Sequence, residues 1–359
     1  MKRTLLVFLV VALFVLSFGN AFAAGPAPQF GITTGEVKLG DGDTWKSDYH
    51  GMIVDGTYVY SVRVYPERVG GGQEVVMDKS NDGGLTWQGS TGITRGSDID
   101  FNGASIAINP VTKALHYIWI TYDPFSVPHY NYYYGNGTVT TRVNGSSDVS
   151  SDSGCIAVDG NGVIHIVFLG SDNAVYYTSS SDTGVTFSGP VPVPTDPVSY
   201  NMLSFTADSA GSLYLLYGSG GKFMKKTAGG SWSASYAACQ VQNDTSMVVY
   251  DSTHLYFAGN GTIGISTNGG QTWTCHATPF NVTGANDSLA VSGGLLNYAW
   301  GETDGVHFVR TTKSNDPTSW GTPALAIPGG NLPNIAVDPA GKAYITAQKE
   351  GMTVFTKEK

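Results

Sequence analysis

The sequence predicts an all-β chain folded as a seven-bladed β-propeller, with six blades as the runner-up. Three observations carry this expectation: a short apolar run that recurs along the chain, a composition rich in glycine and poor in charge, and the lack of sustained helical periodicity beyond the first two dozen residues. Glycine supplies 47 of 359 residues, and charged residues make up 13%, about half the usual share. Such a chain has turn residues in plenty. At 41% hydrophobic it also has enough apolar surface to bury a core.

Each recurring run ends in a polar turn residue, namely Asp55, Asn109, Asp159, Asp208, Asp251, Ser292 and Asp338, at intervals of 41 to 54 residues. A second β-rich run follows, as in Leu115–Trp119 or Leu213–Leu216, and then a third, as in Val175–Tyr177 or Val306–Val309. A period in the forties with about four strands per unit is the mark of propeller blades. One blade cannot cover its own two apolar faces. Packing blades around a ring buries both and leaves only short edges. The last unit runs out at Lys359 after its third strand, while Gly35–Leu39 precedes the first unit with no blade of its own. The N-terminal strand is therefore expected to complete the last blade.

Ahead of the repeats stand Met1, Lys2 and Arg3, an apolar stretch from Leu5 to Phe18, and Ala21-Phe22-Ala23. This order of basic, apolar and small residues reads as a secretory signal over 1–23, with 24–359 as a single propeller domain. The apolar stretch is short for a span of about 20 residues, so no membrane span is expected after cleavage, and the chain is read as periplasmic or extracellular. A formal charge of −9 and a pI near 5.1 argue against a nucleic-acid partner. The three cysteines contain no Cys-x-x-Cys spacing, and neither a metal nor a cofactor is expected. Cys239 and Cys275 fall late in successive units, which leaves a disulfide between neighbours open. Cys155, inside an apolar strand, reads as a small buried residue.

Three units share one turn after the third run: Ser80-Asn81-Asp82-Gly83-Gly84-Leu85-Thr86-Trp87, then 180–187 and 266–273, with eroded copies at Thr227–Trp232 and Ser314–Trp320. Ser80, Ser180 and Ser266 open the turn. Asp82, Asp182 and Asn268 can accept hydrogen bonds from its own backbone. Gly84, Gly184 and Gly270 allow a positive φ where the chain reverses. Trp87, Phe187 and Trp273 then return to the apolar layer and are expected to staple the hairpin. This pattern resembles the Asp-box, or bacterial neuraminidase repeat, of the sialidase-like propellers. The resemblance implies that the boxes are clips on the face away from the ligand site, so they identify the scaffold and not the activity.

If those turns form the bottom, the top is built from the segments leading into each first strand and from the loops between second and third strands. The leading segments carry Asp48, His50, Asp100, Asp152, Tyr200, Asp244 and Asp287, and the loops carry Arg63, Arg68, Tyr122, Glu302 and Asp304. A ring of polar and acidic groups with tyrosines for sugar stacking points to a glycan- or protein-binding module acting through its top face. A glycoside hydrolase is the alternative, since it needs only two carboxylates roughly 5–10 Å apart, with Asp100 and Asp152 or Asp244 and Glu302 as nominal pairs. A structural surface or filament-associated protein is the second alternative.

Active sialidases resemble one another in an early Arg-Ile-Pro arginine and two further arginines on other blades. Here Phe30-Gly31-Ile32-Thr33 stands where that first motif is expected, and Arg-Ile-Pro occurs nowhere. Outside the leader the arginines are Arg63, Arg68, Arg95, Arg142 and Arg310, whose places in their units do not favour convergence on one carboxylate. Sialidase activity is not expected.

Overall fold

The computed structural model describes residues 37–41, 51–65, 74–95, 100–122, 125, 130–147, 149–198, 203–218, 220–240, 246–282, 287–350 and 352–358. The leader read at 1–23 lies outside them. The strands form seven antiparallel four-stranded sheets, as the repeat count predicts. Blade I comprises Met52–Asp55, Tyr58–Tyr65, Glu74–Ser80 and Ser90–Arg95, and blade II comprises Asp100–Ile108, Leu115–Tyr122, Tyr130–Gly135 and Thr140–Arg142. Blade III runs through Val149–Val158, Ile164–Gly170, Val175–Ser180 and Val191–Pro192. Blade IV is built of Leu203–Ala207, Leu213–Tyr217, Lys222–Lys226 and Tyr236–Ala237. Blade V takes Ser246–Val249, Leu255–Gly259, Thr262–Ser266 and Thr274–Ala277. Blade VI takes Asp287–Ser292, Leu295–Glu302, Gly305–Arg310 and Ala324–Pro328.

Blade VII uses Asn331–Val337, Ala343–Lys349 and Met352–Lys357, and its fourth strand is the N-terminal Val37–Asp41. That strand pairs antiparallel with the third, Val37 opposite Phe355 and Asp41 opposite Met352. The ring closes there, as expected. Among the described residues there is no helix, so none is long and apolar enough to cross a membrane.

Burial explains why the strands differ in composition. Second strands are covered on both faces and read as nearly continuous apolar runs: every residue of Ile164–Gly170 and of Leu213–Tyr217 is buried. Fourth strands form the outer edges of the sheets, and those of blades III and V are short and largely exposed, Val191–Pro192 and Thr274–Ala277. First strands of successive blades stand side by side around the axis and line a cavity of about 320 Å³. Small polar side chains tie this inner ring together. Ser204 Oγ accepts from the Met247 amide at 3.0 Å, and Ser288 Oγ accepts from the Ile335 amide at 3.1 Å, each reaching the next blade. In blade III the Cys155 thiol donates to Leu203 O at 3.4 Å. Burial pushes that thiol up to about 12, so it stays protonated.

Five of the polar anchors, Asn109, Asp159, Asp208, Asp251 and Asp338, accept backbone amides of the turn between first and second strands as Asx turns do. Asp159 Oδ1 accepts from the Asn161 and Val163 amides, Asp208 Oδ1 from Ala210 and Ser212, and Asn109 Oδ1 from Val111 and Thr112. In blades IV and VII the second carboxylate oxygen also takes a tyrosine hydroxyl, Tyr214 on Asp208 at 2.7 Å and Tyr344 on Asp338 at 3.1 Å.

The Ser-x-Asp-x-Gly-x-Thr turns lie at the same end of the blades. Asp82 Oδ1 accepts from the Leu85 and Thr86 amides at 2.9 Å each, and Oδ2 accepts the Thr86 hydroxyl at 2.6 Å. Asp182 repeats this with Thr186, and those bonds hold its carboxyl down near about 2. Asn268 substitutes by accepting from the Thr272 amide and donating to its hydroxyl.

The aromatic residue that ends each turn does more than staple its own hairpin. Trp87 packs edge-on against Phe355 of blade VII at 5.1 Å, Phe187 against Tyr134 of blade II at 5.1 Å, and Trp273 against Phe223 of blade IV at 5.4 Å. Each partner sits on the third strand of the preceding blade. The turn glycine makes room for it: a Cβ at Gly270 would lie 1.9 Å from Phe223, and one at Gly184 1.9 Å from Tyr134. Even the eroded copy in blade IV keeps this device, with Trp232 against Tyr177 of blade III at 6.0 Å.

Two further ties join neighbouring blades. Cys239 and Cys275 form a disulfide with Cα atoms 5.8 Å apart, linking the rims of blades IV and V. Arg310 in blade VI makes a two-pronged ion pair with Glu358 at 2.7 and 3.2 Å, and also donates to Gly341 O. On the other side, Lys357 donates to Gly83 O in blade I. Blade VII is thus held to both neighbours by consecutive residues.

Candidate functional site

The meander fixes which residues share an end. Turns between first and second strands and between third and fourth lie at the bottom, so loops between second and third strands lie at the top. Asp48, His50, Arg68, Tyr200 and Asp244 fall outside the described residues. Arg63, Asp100, Tyr122 and Asp152 lie in described strands by backbone alone, with Asp100 directly opposite Tyr122 at the top of blade II. Two predicted site residues, Asp287 and Glu302, are described in full, as is the loop residue Asp304.

Asp287 opens the first strand of blade VI and is 5% exposed. Its Oδ2 accepts the Tyr298 hydroxyl at 2.6 Å and the Gly261 amide at 2.8 Å, bridging blade VI to the top turn of blade V. Burial, reinforced by the Asp287 carboxylate, pushes the Tyr298 phenol far above its ordinary value, which keeps it a donor. Asp287 is a brace between blades.

Glu302 and Asp304 flank the turn joining Leu295–Glu302 to Gly305–Arg310. In this hairpin Glu302 opposes Gly305 and Trp300 opposes His307. Alternation along a strand puts Trp300 and Glu302 on one face, and the cross-strand register brings His307 onto it. The Trp300 indole N–H donates to Glu302 Oε1 at 2.8 Å, and the Trp300 and His307 rings stack at 5.5 Å. Phe280, from the segment leading out of blade V, stacks on Trp300 at 4.7 Å, and Tyr298 lies 5.2 Å from it. Asp304 at the turn meets His307 Nε2 at 2.7 Å, and that hydrogen bond holds the Asp304 carboxyl below the usual carboxylate range. Glu302, Asp304 and His307 are the one set of three such side chains among the described residues whose donor atoms all lie within 4.8 Å of one another.

Trp300, Phe280 and His307 were not among the predicted site residues. For Trp300 and His307 the hairpin register held the signal, whereas Phe280 comes from the segment leaving blade V and had none. With Thr303-Asp304 as a two-residue loop, counting outward pairs 302 with 305 and 300 with 307.

Among the described arginines, Arg310 is spent on Glu358 and Asn297, and Arg142 lies exposed on the fourth strand of blade II, its Nε 3.3 Å from Asn144 Oδ1. Neither faces this hairpin's carboxylates. Two buried histidines are likewise structural: His116 Nδ1 meets the Tyr134 hydroxyl at 2.6 Å and His165 Nδ1 the Tyr177 hydroxyl at 2.9 Å, each within its own blade.

No protein-family model matches the sequence, and no curated protein does either. Solved structures do match in fold. A catalytically inactive virginiamycin B lyase from Staphylococcus aureus with quinupristin aligns over 92% of this chain and 100% of its own, at 12% identity and a TM-score of 0.59. YCF48 bound to D1 peptide aligns over 94% and 98%, at 14% identity and a TM-score of 0.56. The NanB sialidase from Streptococcus pneumoniae aligns over 90% of this chain and 70% of its own, at 13% identity and a TM-score of 0.50. The chain has a sialidase-like propeller fold. At these identities the likeness is one of fold alone.

Proposed function

We propose that the chain is a secreted Asp-box propeller that binds a glycan or a protein partner through its top face. In this reading residues 1–23 are removed on export and 24–359 are the working domain. The observation that carries it is the state of the described top-face carboxylates. Asp287 is buried and occupied by Tyr298 and Gly261, while Glu302 and Asp304 stand at a partly open rim backed by aromatic rings. Groups so arranged offer hydrogen bonds to a partner, and among the described residues they do not form two opposed carboxylates across a cleft. YCF48, solved with a peptide, supports the same use of a propeller by analogy of fold. Arg63, Asp100, Tyr122 and Asp152, with Asp48, His50, Arg68, Tyr200 and Asp244, belong to the same proposed surface.

Mature protein applied to an array of glycans and extracellular peptides should show saturable capture, weakened about tenfold by Glu302→Gln, with no product from fluorogenic glycosides. Product release that vanishes on replacing a top-face carboxylate would make the protein a hydrolase instead. Regular self-assembly without capture would place it in the structural class.

A further inference from the structure

The top hairpin of blade VI carries an arrangement that partner binding does not require. One carboxylate oxygen each of Glu302 and Asp304 and a ring nitrogen of His307 lie within 4.8 Å of one another. The side chains are held from outside the cluster. The Trp300 indole, itself 1% exposed, fixes Glu302 by one oxygen and leaves the other free, and it sets the plane of the His307 ring by stacking. Phe280 fixes the indole in turn. The turn is pinned as well: Asp304 O accepts the Gly329 amide at 2.8 Å, and a Cβ on Gly305 would lie 2.3 Å from Ile327 O. Asp304 remains 58% exposed, so the cluster opens to solvent on one side.

We propose that Glu302, Asp304 and His307 form a binding site for a divalent transition-metal ion. Two carboxylates neutralise a 2+ charge, and an imidazole nitrogen favours zinc, nickel or copper over calcium or magnesium, which prefer all-oxygen cages. Metal–ligand distances of about 2.0–2.2 Å require donor atoms roughly 3.4 Å apart in a tetrahedral site, reached by small rotations of the two carboxylates once the proton shared between His307 Nε2 and Asp304 passes to Nδ1 or to solvent. Three protein ligands leave a fourth position for water or a partner's oxygen. An indole that holds one ligand oxygen and orients the histidine acts as the outer shell such sites depend on. This departs from the expectation from sequence that no metal is bound. It does not rest on the binding reading above, because its test uses the metal alone.

Untagged mature protein is stripped with a chelator and titrated calorimetrically with zinc, then with calcium. One zinc per chain is expected, bound at least tenfold more tightly than calcium. Asp304→Asn and His307→Gln should each weaken it tenfold or more, with thermal unfolding of the stripped variants unchanged. The exposed His254–Asp251 pair at the bottom of blade V, 2.8 Å apart, supplies the control, and His254→Gln should leave the stoichiometry at one. A stripped wild type that takes up no stoichiometric zinc at 1 mM overturns the proposal. So does a site that survives Asp304→Asn and His307→Gln, or one that prefers calcium.

Discussion

His116 shows how one residue can set the behaviour of this molecule with pH. It is 2% exposed on the second strand of blade II, and burial lowers its pKa from 6.5 to about 4. The fold therefore favours the neutral ring, while the unfolded chain binds a proton below pH 6.5. Stability tied to this residue is complete above that value and is lost as pH falls through the folded pKa. From pH 7 to pH 4.5 the loss should be on the order of 2 kcal/mol. Burial lowers His165 in the same direction. Urea unfolding at the two pH values checks the point: His116→Gln should flatten the pH dependence, and an unchanged slope would show that the ring does not titrate as argued. His165 stands in the apolar run Ile164–Gly170, a place that suits a structural ring. The Tyr177 hydroxyl it meets was not legible in the sequence, because that contact depends on the pairing of two strands.

At the scale of the element, the Ser-x-Asp-x-Gly-x-Thr turn combines two requirements in one glycine. Gly270 needs a φ of +91° and must also admit the Phe223 ring from the neighbouring blade. Gly229 has a φ of +66° with nothing within 4 Å of its Cβ position, so it isolates the backbone part. Gly270→Ala should cost roughly 1–3 kcal/mol more than Gly229→Ala in urea unfolding, through displacement of Phe223 and Trp273. Equal losses would mean that the neighbouring ring yields freely. The turn chemistry of Asp82 and Asp182 was readable because donor and acceptor lie within four residues of each other. The docking partner of each aromatic was not, since it comes from a different blade.

For the whole molecule, closure is the decisive feature. Six sheets are made of consecutive strands, and blade VII depends on Val37–Asp41 for its fourth. A chain starting at residue 42 exposes the edge of Met352–Lys357, an unpaired row of backbone donors and acceptors. Such a chain should melt at a lower temperature and associate with rising concentration in size-exclusion chromatography. A monomer with an unaltered melting temperature would show that the ring does not need the closing strand. The Arg310–Glu358 pair and the Lys357 contact to Gly83 hold blade VII on both sides, so closure acts together with these ties.

A propeller of seven repeats (six as the runner-up), the closing strand, a polar turn residue after each first strand and the Ser-x-Asp-x-Gly-x-Thr turns were all legible in the sequence alone. Each is written in contiguous residues, either as a repeated run or as a donor and acceptor a few positions apart. Tertiary structure alone decided that Asp287 is a buried brace, that Trp300 and Phe280 back Glu302, and that Arg310 is spent on Glu358. These contacts join segments brought together by neighbouring blades or by hairpin register, and their energy exists only once the sheets have packed.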